Sequence, residues 1–354
     1  MKEYVFVGTY TNTTSKGIYG FSQENGYITE PVLLAVEESP TYLCVNKAGT
    51  ILYSVEEPET GCGRVASYDI LRDEAGQVKG LERTSLREAP SLGACHVVLS
   101  PDEKFLIITT YVDATVQVYE ILADGSVGKL CYKLIRQGKG PNHDRQEKAH
   151  AHSVTFAPDG SFFYLCDLGT DHLAAYRLTG AGEIVSIPEK TVDCPPGYGP
   201  RHMVFSPDGA HAYVAAEIVD HLLHYVYEDG RMLYVQDLLA TRDQDPANTS
   251  AAVRVSSDGR FVYISNRGEN TITVYRVRPD GTLLQIQRLR SQGRTPREFA
   301  LSLDETVAYA GNQDSDTLAI FLRDPETGLL KTNGVTKAIG SPVAIVSVPN
   351  GHID

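Results

Sequence analysis

The chain has 354 residues, of which 42% are hydrophobic and 22% are charged, as in an ordinary soluble globular protein. Its formal net charge of −13 disfavours nucleic acid and anionic membranes as partners, because both require a basic surface. No stretch approaches the ~18 apolar residues of a membrane helix, and the N-terminal MKEYVFVGTY is too short for a secretory signal, so we expect a cytoplasmic protein.

A repeated unit runs along most of the chain. Each copy contains a short apolar strand, a turn similar to S-P-D-G, a second strand with a central aromatic residue, a polar corner and a third strand that often ends in V-x-x-Y. The copies begin at Tyr42, His96, His152, Arg201, Ala251 and Arg297. The fourth turn position is Gly49, Glu103, Gly160, Gly209, Gly259 or Glu305, at successive intervals of 54, 57, 49, 50 and 46 residues. Units of about 40–50 residues with several short strands are typical of propeller blades.

The two ends of the chain supply a seventh unit. SPVAIVSVPNG, near the C-terminus, matches a first strand with its turn, whereas EYVFVGTY and KGIYGFSQ match second and third strands that lack a first. We therefore predict an all-β fold: a seven-bladed β-propeller of four-stranded antiparallel blades, forming one domain over residues 1–354. Strands from both termini would share one composite blade, and this closure would leave no exposed sheet edge in the ring.

Two positions in each blade should converge at one mouth of the central channel. The first strand of a blade lines the channel, and the antiparallel second strand returns to the face where the first began. Alignment on the turn places Thr41, Cys95, His152, Arg201, Ala251, Arg297 and Val343 in a first ring. It places Tyr10, Glu57, Tyr111, Leu168, Glu217, Arg267 and Gln313 in a second. Charged side chains are costly there unless they are paired or face water and ligand, so the rings predict a polar pocket.

The residue types in the two rings suit ester hydrolysis by an activated water. Arg201, Arg267 and Arg297 can bind a phosphate or carboxylate, or stabilise an oxyanion. His152 is suited to proton transfer near neutral pH. Glu217 could orient His152, act as the base itself, or pair with an arginine. His150, two positions before His152, is a second candidate for the base.

Further predictions concern the remaining pocket residues and metals. We expect Arg267, Arg297, Gln313, Asn312, Tyr10 and Glu57 to contact the substrate. His96 and His202 fall one position beyond the first ring, so we expect them to point away into packing or solvent. His143, His150 and His152 lack the spacing and the carboxylate of a metal site. The six cysteines have no C-x-x-C spacing, so we expect reduced thiols and no zinc.

Several segments resemble a known family. KAHAHSVTFAPDG, GYGPRHMVFSPDG, SAAVRVSSDGRFVYISNRG and GNQDSD are similar to segments of the propeller-type bacterial 6-phosphogluconolactonases, which are related to fungal carboxymuconate lactonising enzymes. The resemblance implies a seven-bladed fold and hydrolysis of 6-phosphogluconolactone to 6-phosphogluconate in the pentose phosphate pathway, without a cofactor. The roles proposed in the related lactonising enzymes correspond here to His152 or His150, Arg201, Glu217 and Arg267.

Two alternatives to a lactonase stay open at the level of sequence. The same pocket could close a carboxylate onto a double bond, as a cycloisomerase does. A propeller can also serve as a binding platform without activity, because the fold does not determine the function. For the lactonase we expect a small phosphorylated sugar lactone as the binding partner, and a monomer or weak homo-oligomer.

Overall fold

The computed structural model describes residues 2–351, which form seven antiparallel sheets around a central channel. The first strand of each blade contacts the first strand of the next in chain order, and the seventh contacts the composite blade. The predicted seven-bladed β-propeller is confirmed. Blades are numbered here from the composite blade, blade 1, to blade 7.

The blades have the following strands, from the channel outward. Blade 1 contains Pro342–Pro349, Lys2–Thr9 and Gly17–Glu24, with an outer edge in two pieces, Tyr27–Ile28 and Val32–Val36. Blade 2 contains Pro40–Val45, Ile51–Glu56, Gly63–Arg72 and Val78–Ala89. Blade 3 contains Ala94–Leu99, Phe105–Thr110, Thr115–Ile121 and Val127–Ile135. Blade 4 contains Ala151–Phe156, Phe163–Asp167, His172–Leu178 and the outer pieces Ile184–Ser186 and Val192–Asp193.

The remaining three blades are regular. Blade 5 contains Pro200–Phe205, His211–Ala216, His221–Glu228 and Arg231–Leu239. Blade 6 contains Thr249–Val255, Phe261–Arg267, Thr271–Val277 and Leu283–Arg290. Blade 7 contains Pro296–Leu301, Val307–Asn312, Thr317–Arg323 and Leu330–Ala338. Two short 3-10 turns, Pro188–Lys190 and Gln313–Ser315, complete the regular structure of residues 2–351. Within those residues, no helix has both the length and the apolar character needed to cross a membrane.

The turn between the first two strands of a blade is held by its own side chains. In blade 5, Ser206 Oγ accepts a hydrogen bond from the His211 backbone N at 2.9 Å, and Asp208 Oδ1 accepts one from the Ala210 backbone N at 3.0 Å. Gly209 has a φ of +71°, a conformation that glycine adopts without steric penalty. The S-P-D-G pattern therefore marks a true chain reversal.

Two blades have glutamate in place of this glycine. Glu103 and Glu305 both have a φ of +56°, which is uncommon for a residue with a side chain. Their carboxylates accept hydrogen bonds from the backbone N of Lys47 and of Ser257, each at 2.6 Å. Each contact reaches the equivalent turn of the preceding blade, so these glutamates join adjacent blades.

The first strand of every blade contains a β-bulge near the channel mouth. In blade 5, Pro200 pairs with Ala216 and His202 with Ala215, which leaves Arg201 without a partner in the ladder. The corresponding positions in the other blades are Thr41, Cys95, His152, the Ala251 and Ala252 pair, Arg297 and Val343. An extra residue of this kind bends the strand and re-aims a side chain. The bulges coincide with the first predicted ring.

The composite blade closes the propeller without a covalent bond. As predicted, strands from both termini share this blade: Lys2–Thr9 pairs antiparallel with Pro342–Pro349. In this pairing Val5 lies opposite Ser347. Phe6 is fully buried and belongs to an apolar cluster shared with blade 2. Closure therefore depends on packing between blades as well as on the strand ladder.

We expect Phe6→Ala to lower the free energy of unfolding by about 3–5 kcal/mol, because it opens a cavity where the closing strands meet blade 2. Equilibrium urea unfolding measures this loss. Tyr27→Ala, at a side chain that is 75% exposed on the outer edge of the same blade, should change stability by less than about 0.5 kcal/mol. Similar small losses in both variants would contradict a packed closure.

Candidate active site

A pocket of about 300 Å³ lies at the channel mouth where the two predicted rings meet. It brings together seven of the predicted residues: Tyr10, Glu57, His152, Arg201, Glu217, Arg267 and Arg297. It is also lined by Gly93, Cys95, Tyr111, Val112 and Arg145. The starts of first strands and the ends of second strands supply most of these side chains. The strand register inferred from the turn alignment therefore brings most of the predicted polar residues to the same channel mouth.

Glu217 binds three arginines on one wall of the pocket. Its Oε2 accepts a hydrogen bond from Arg201 Nη1 at 2.5 Å and lies 2.9 Å from Arg267 Nη2. Its Oε1 contacts Arg145 Nη2. The Glu217 side chain is only 4% exposed. Burial alone would raise the pKa of Glu217, but the charges of Arg267, Arg201 and Arg145 hold that pKa well below its usual value. Glu217 is thus an ionised counter-ion that positions guanidinium groups.

His152 is a neutral imidazole next to this cluster. Arg201 Nη1 lies 2.6 Å from His152 Nε2. An arginine can only donate, so Nε2 is the acceptor and the ring hydrogen is assigned to Nδ1. Burial first, and then the charge of Arg201, lowers the pKa of His152 well below 6.5. The imidazole is therefore uncharged at neutral pH and able to accept a proton.

The opposite wall is formed by Tyr10, Glu57 and Arg297. Tyr10 Oη donates a hydrogen bond to Glu57 Oε2 at 2.9 Å, and the Arg297 guanidinium lies 5.4 Å from the centre of the Tyr10 ring. Among residues 2–351, no carboxylate forms an ion pair with Arg297. Removal from water raises the pKa of Glu57, which Tyr10 and Arg297 only partly offset. Arg297 therefore has its hydrogen-bond donors available to a ligand.

The pocket is positively charged although the chain is acidic. Four guanidinium groups, of Arg145, Arg201, Arg267 and Arg297, face two carboxyl groups, of Glu57 and Glu217. With His152 neutral, the pocket has a net charge of at least +2, against −13 for the chain. Such a local field attracts an anion that the rest of the surface repels.

Three predicted site residues do not line the pocket. His150 lies behind Tyr111, stacked on its ring at a centroid distance of 4.2 Å, with Nδ1 2.9 Å from the Tyr111 carbonyl oxygen. Asn312 is fully buried inside blade 7 and donates to the Ser291 carbonyl oxygen at 3.0 Å. Gln313 begins a 3-10 turn outside the pocket lining. Contrary to the prediction, these three residues therefore do not line the pocket. Asn312 and Gln313 lie where the second strand of blade 7 ends and its corner turns away from the mouth, whereas His150 precedes the first strand of blade 4 and is covered by Tyr111.

A layer of aromatic rings closes the channel beneath the pocket. The rings of Tyr42 and His202 lie 5.8 Å apart between centroids, His96 lies 4.5 Å from Tyr42, and His152 lies 5.2 Å from His202. Tyr42 and His202 belong to blades 2 and 5, which are not neighbours, so this contact crosses the channel. The expectation that His96 and His202 point away was wrong. The bulge interrupts the alternation of side chains, and two successive residues face inward.

Arg145 is a pocket residue that the blade repeat did not predict. It lies in the connection between blades 3 and 4, where Asn142 Oδ1 accepts a hydrogen bond from the Arg145 backbone N at 3.1 Å. Its side chain is 36% exposed. The one sequence signal was the 57-residue interval between Glu103 and Gly160, the longest between two turns. That interval indicated an insertion but not its direction.

No group of three or more His, Cys, Asp or Glu side chains within residues 2–351 is arranged to hold a metal ion. The six cysteines are all free thiols.

Comparison with known proteins gives consistent findings. A family described as "Lactonase, 7-bladed beta-propeller" matches residues 4–347. The 6-phosphogluconolactonase of Bacillus subtilis (strain 168) is 35% identical over 352 residues, which cover 98% of each chain.

Solved structures are similar over nearly the whole length. The periplasmic gluconolactonase of Pseudomonas aeruginosa matches with a TM-score of 0.91 and 29% identity, covering 99% of this chain and 100% of the other. A protein from Lactobacillus plantarum matches with a TM-score of 0.90 and 29% identity, covering 98% of this chain and 100% of the other.

We expect Glu217→Gln to destabilise the protein by about 3 kcal/mol at neutral pH, because it removes the shared counter-charge of buried guanidinium groups. Inorganic phosphate should recover part of the loss by binding those groups, and should raise the thermal midpoint of the variant more than that of the wild type. The exposed Glu183→Gln provides the matched control, with a change below about 0.5 kcal/mol. A stability loss that phosphate does not reduce would contradict repulsion between arginines as its cause.

Proposed function

This chain belongs to the family of seven-bladed β-propeller lactonases, and we propose that it hydrolyses 6-phosphogluconolactone to 6-phosphogluconate. Hydrolysis of a sugar lactone, a cyclic carboxylic ester, is the activity by which its relatives are named. The phosphorylated substrate and the roles of individual residues are the finer part of the proposal.

The positive charge of the pocket is the observation that carries the phosphorylated substrate. A phosphate monoester has a charge of about −1.5 to −2 near pH 7. An unphosphorylated sugar lactone is neutral and requires no net positive field. A pocket with four arginines and at most two ionised carboxylates matches the dianion.

The arginines divide into two groups by pairing and exposure, because Arg145 is paired with Glu217 but is 36% exposed, against 5% for Arg201 and 13% for Arg267. Arg297 has no ion-pair partner among residues 2–351, and Arg145 lies at the rim, so these two bind the phosphate. Arg201 and Arg267 are buried against Glu217, and Arg201 also contacts His152. Their fixed positions suit stabilisation of the oxyanion that forms on the lactone carbonyl, because preorganised donors require no reorientation during the reaction.

His152 is the base in this proposal. A substrate oxygen that accepts the Arg201 Nη1 hydrogen bond in place of His152 Nε2 frees the imidazole lone pair, while the guanidinium keeps its contact with Glu217. A water held at Nε2 transfers a proton to the imidazole while its oxygen attacks the carbonyl carbon. The carbonyl π electrons move to the oxygen, where the arginines stabilise the charge. Glu217 keeps the guanidinium groups in place rather than accepting the proton.

The location and pathway belong to the same proposal. A sugar phosphate is retained inside cells by its charge, so a phosphorylated substrate agrees with the cytoplasmic location expected from the sequence. The pentose phosphate pathway follows from the same substrate.

The test is hydrolysis of 6-phosphogluconolactone and of gluconolactone by the purified protein, with the spontaneous rate subtracted. We expect kcat/KM to favour the phosphorylated lactone by about 10–100-fold, which corresponds to about 1.4–2.7 kcal/mol. Arg297→Ala should remove most of this preference by raising KM for the phosphorylated lactone alone. The exposed Arg231→Ala is the control and should behave as the wild type. Equal rates on both lactones would contradict phosphate recognition, and no turnover of either would favour a binding platform.

We expect the acid limb of kcat/KM to lie well below pH 6.5, because His152 must be deprotonated to act and its pKa lies well below 6.5. His152→Ala should lower kcat by about 10²–10⁴-fold across the range. An acid limb of kcat/KM at or above pH 6.5 would contradict this assignment.

A further inference from the structure

We propose that Glu57, hydrogen-bonded to Tyr10, is the acid that protonates the ring oxygen as the lactone opens. The inference rests on the proposed hydrolysis and adds a second catalytic residue to it. Opening of the ring expels an alkoxide, which is a strong base and leaves poorly without a proton. A base for water and a donor for the leaving oxygen are therefore both required.

The position of Glu57 in the ring of blades suits this role. Glu57 follows the second strand of blade 2, and Glu217 follows the second strand of blade 5. In a ring of seven, these blades are as far apart as two blades can be. The two carboxyl groups therefore face the pocket from opposite walls, and His152 lies on blade 4, beside the Glu217 wall. A substrate between them would present its carbonyl to one wall and its ring oxygen to the other.

The two carboxyl groups have opposite surroundings. Glu217 contacts three guanidinium groups and stays ionised. Glu57 accepts a side-chain hydrogen bond from the neutral Tyr10 phenol, at 2.9 Å. Arg297 favours the Glu57 anion, and the neighbouring Cys95 stays a neutral thiol because burial raises its pKa to about 12. Loss of water contact outweighs them and raises the pKa of Glu57. The surroundings therefore raise the pKa of Glu57 and lower that of Glu217. Such a difference between two carboxyl groups in one site is typical of a proton donor and an ionised partner.

The step balances without another reactant. In the tetrahedral intermediate, the bond between the carbonyl carbon and the ring oxygen breaks, and its electron pair goes to the ring oxygen. Glu57 transfers its proton to that oxygen, which becomes the hydroxyl group of the sugar acid. The oxyanion electrons re-form the carbonyl of the carboxylic acid. His152 then releases to solvent the proton it took from water, and Glu57 takes up one proton from solvent, so the enzyme is regenerated and one water is consumed.

The tyrosines and arginines of the pocket are poorer donors to the leaving oxygen, and the protonated His152 lies beside the Glu217 wall, on the side of the carbonyl. Burial raises the pKa of Tyr111 and of Tyr10, so each phenol holds its proton more tightly than a carboxylic acid does. An arginine does not give up its proton in proteins. Tyr10 acts here as a positioning residue, since its hydroxyl orients one oxygen of Glu57 and leaves the other directed to the ligand.

The test compares Glu57→Gln with the wild type in kcat and KM for 6-phosphogluconolactone over about pH 5–9.5, with spontaneous hydrolysis subtracted. We expect the wild type to lose activity as the pH rises through the raised pKa of Glu57, which gives the profile its alkaline limb. Glu57→Gln should lower kcat by about 100-fold or more, change KM by less than about threefold, and abolish this alkaline limb. Glu59→Gln makes the same change at an exposed residue in the same connection and should leave the profile unchanged.

Tyr10→Phe provides a readout that does not depend on the Glu57 variant folding. The Tyr10 hydrogen bond lowers the pKa of Glu57, so its removal should raise that pKa. The alkaline limb should consequently move to higher pH while the acid limb stays in place. A role for Glu57 in packing alone would leave both limbs unmoved.

The outcomes separate this inference from the proposed function. A wild-type enzyme that hydrolyses the phosphorylated lactone, together with a Glu57→Gln variant that keeps its kcat within threefold and retains the alkaline limb, overturns only the acid role. A rise in KM with unchanged kcat would assign Glu57 to binding and also overturn it. Failure of the wild type to hydrolyse any sugar lactone overturns both.

Discussion

One carboxylate determines the electrostatics of the pocket. Glu217 is buried and holds Arg201, Arg267 and Arg145, which come from two blades and an inter-blade connection. Without it, these cations would repel one another at the channel mouth. With it, they remain fixed and still exceed the local negative charge. The pocket therefore keeps a net positive charge on guanidinium groups that are held in place, an arrangement that supports the proposed stabilisation of an oxyanion.

The β-bulge in each first strand gives this cluster its geometry. A regular strand would alternate, with every second side chain facing the channel. The bulge instead allows Arg201 to reach the pocket while the next residue, His202, joins the ring layer beneath. One short strand thus supplies both a side chain that lines the pocket and a ring of the layer beneath it. The same bulge recurs in every blade, so the blades differ at this position mainly in the side chain that it presents.

The two walls of the pocket place a carboxyl group in different electrostatic surroundings. One wall surrounds Glu217 with positive charge, and the other places Glu57 beside a phenol and away from water. The neutral His152 stands next to the first wall, close to Arg201. This asymmetry arises because blades related by a common repeat differ at a few channel positions. Blades that share one repeat can therefore form a pocket whose two walls differ in charge.

Much of this protein could be predicted from sequence because its repeat is local. The turn between two strands depends on adjacent residues, so the turn spacing indicated the blade count, the composite closure and the pocket mouth with Arg201, Glu217, Arg267 and Arg297. Other features depend on contacts between distant segments and were decided by the tertiary structure. Arg145 enters from a connection outside the repeat, Asn312 turns into blade 7, and His96 and His202 face inward because the bulge breaks the alternation on which the prediction relied. The hydrogen bonds within a turn are determined by residues that are adjacent in sequence. The direction of a side chain at a bulge or in a long connection depends instead on the distant residues that pack against it.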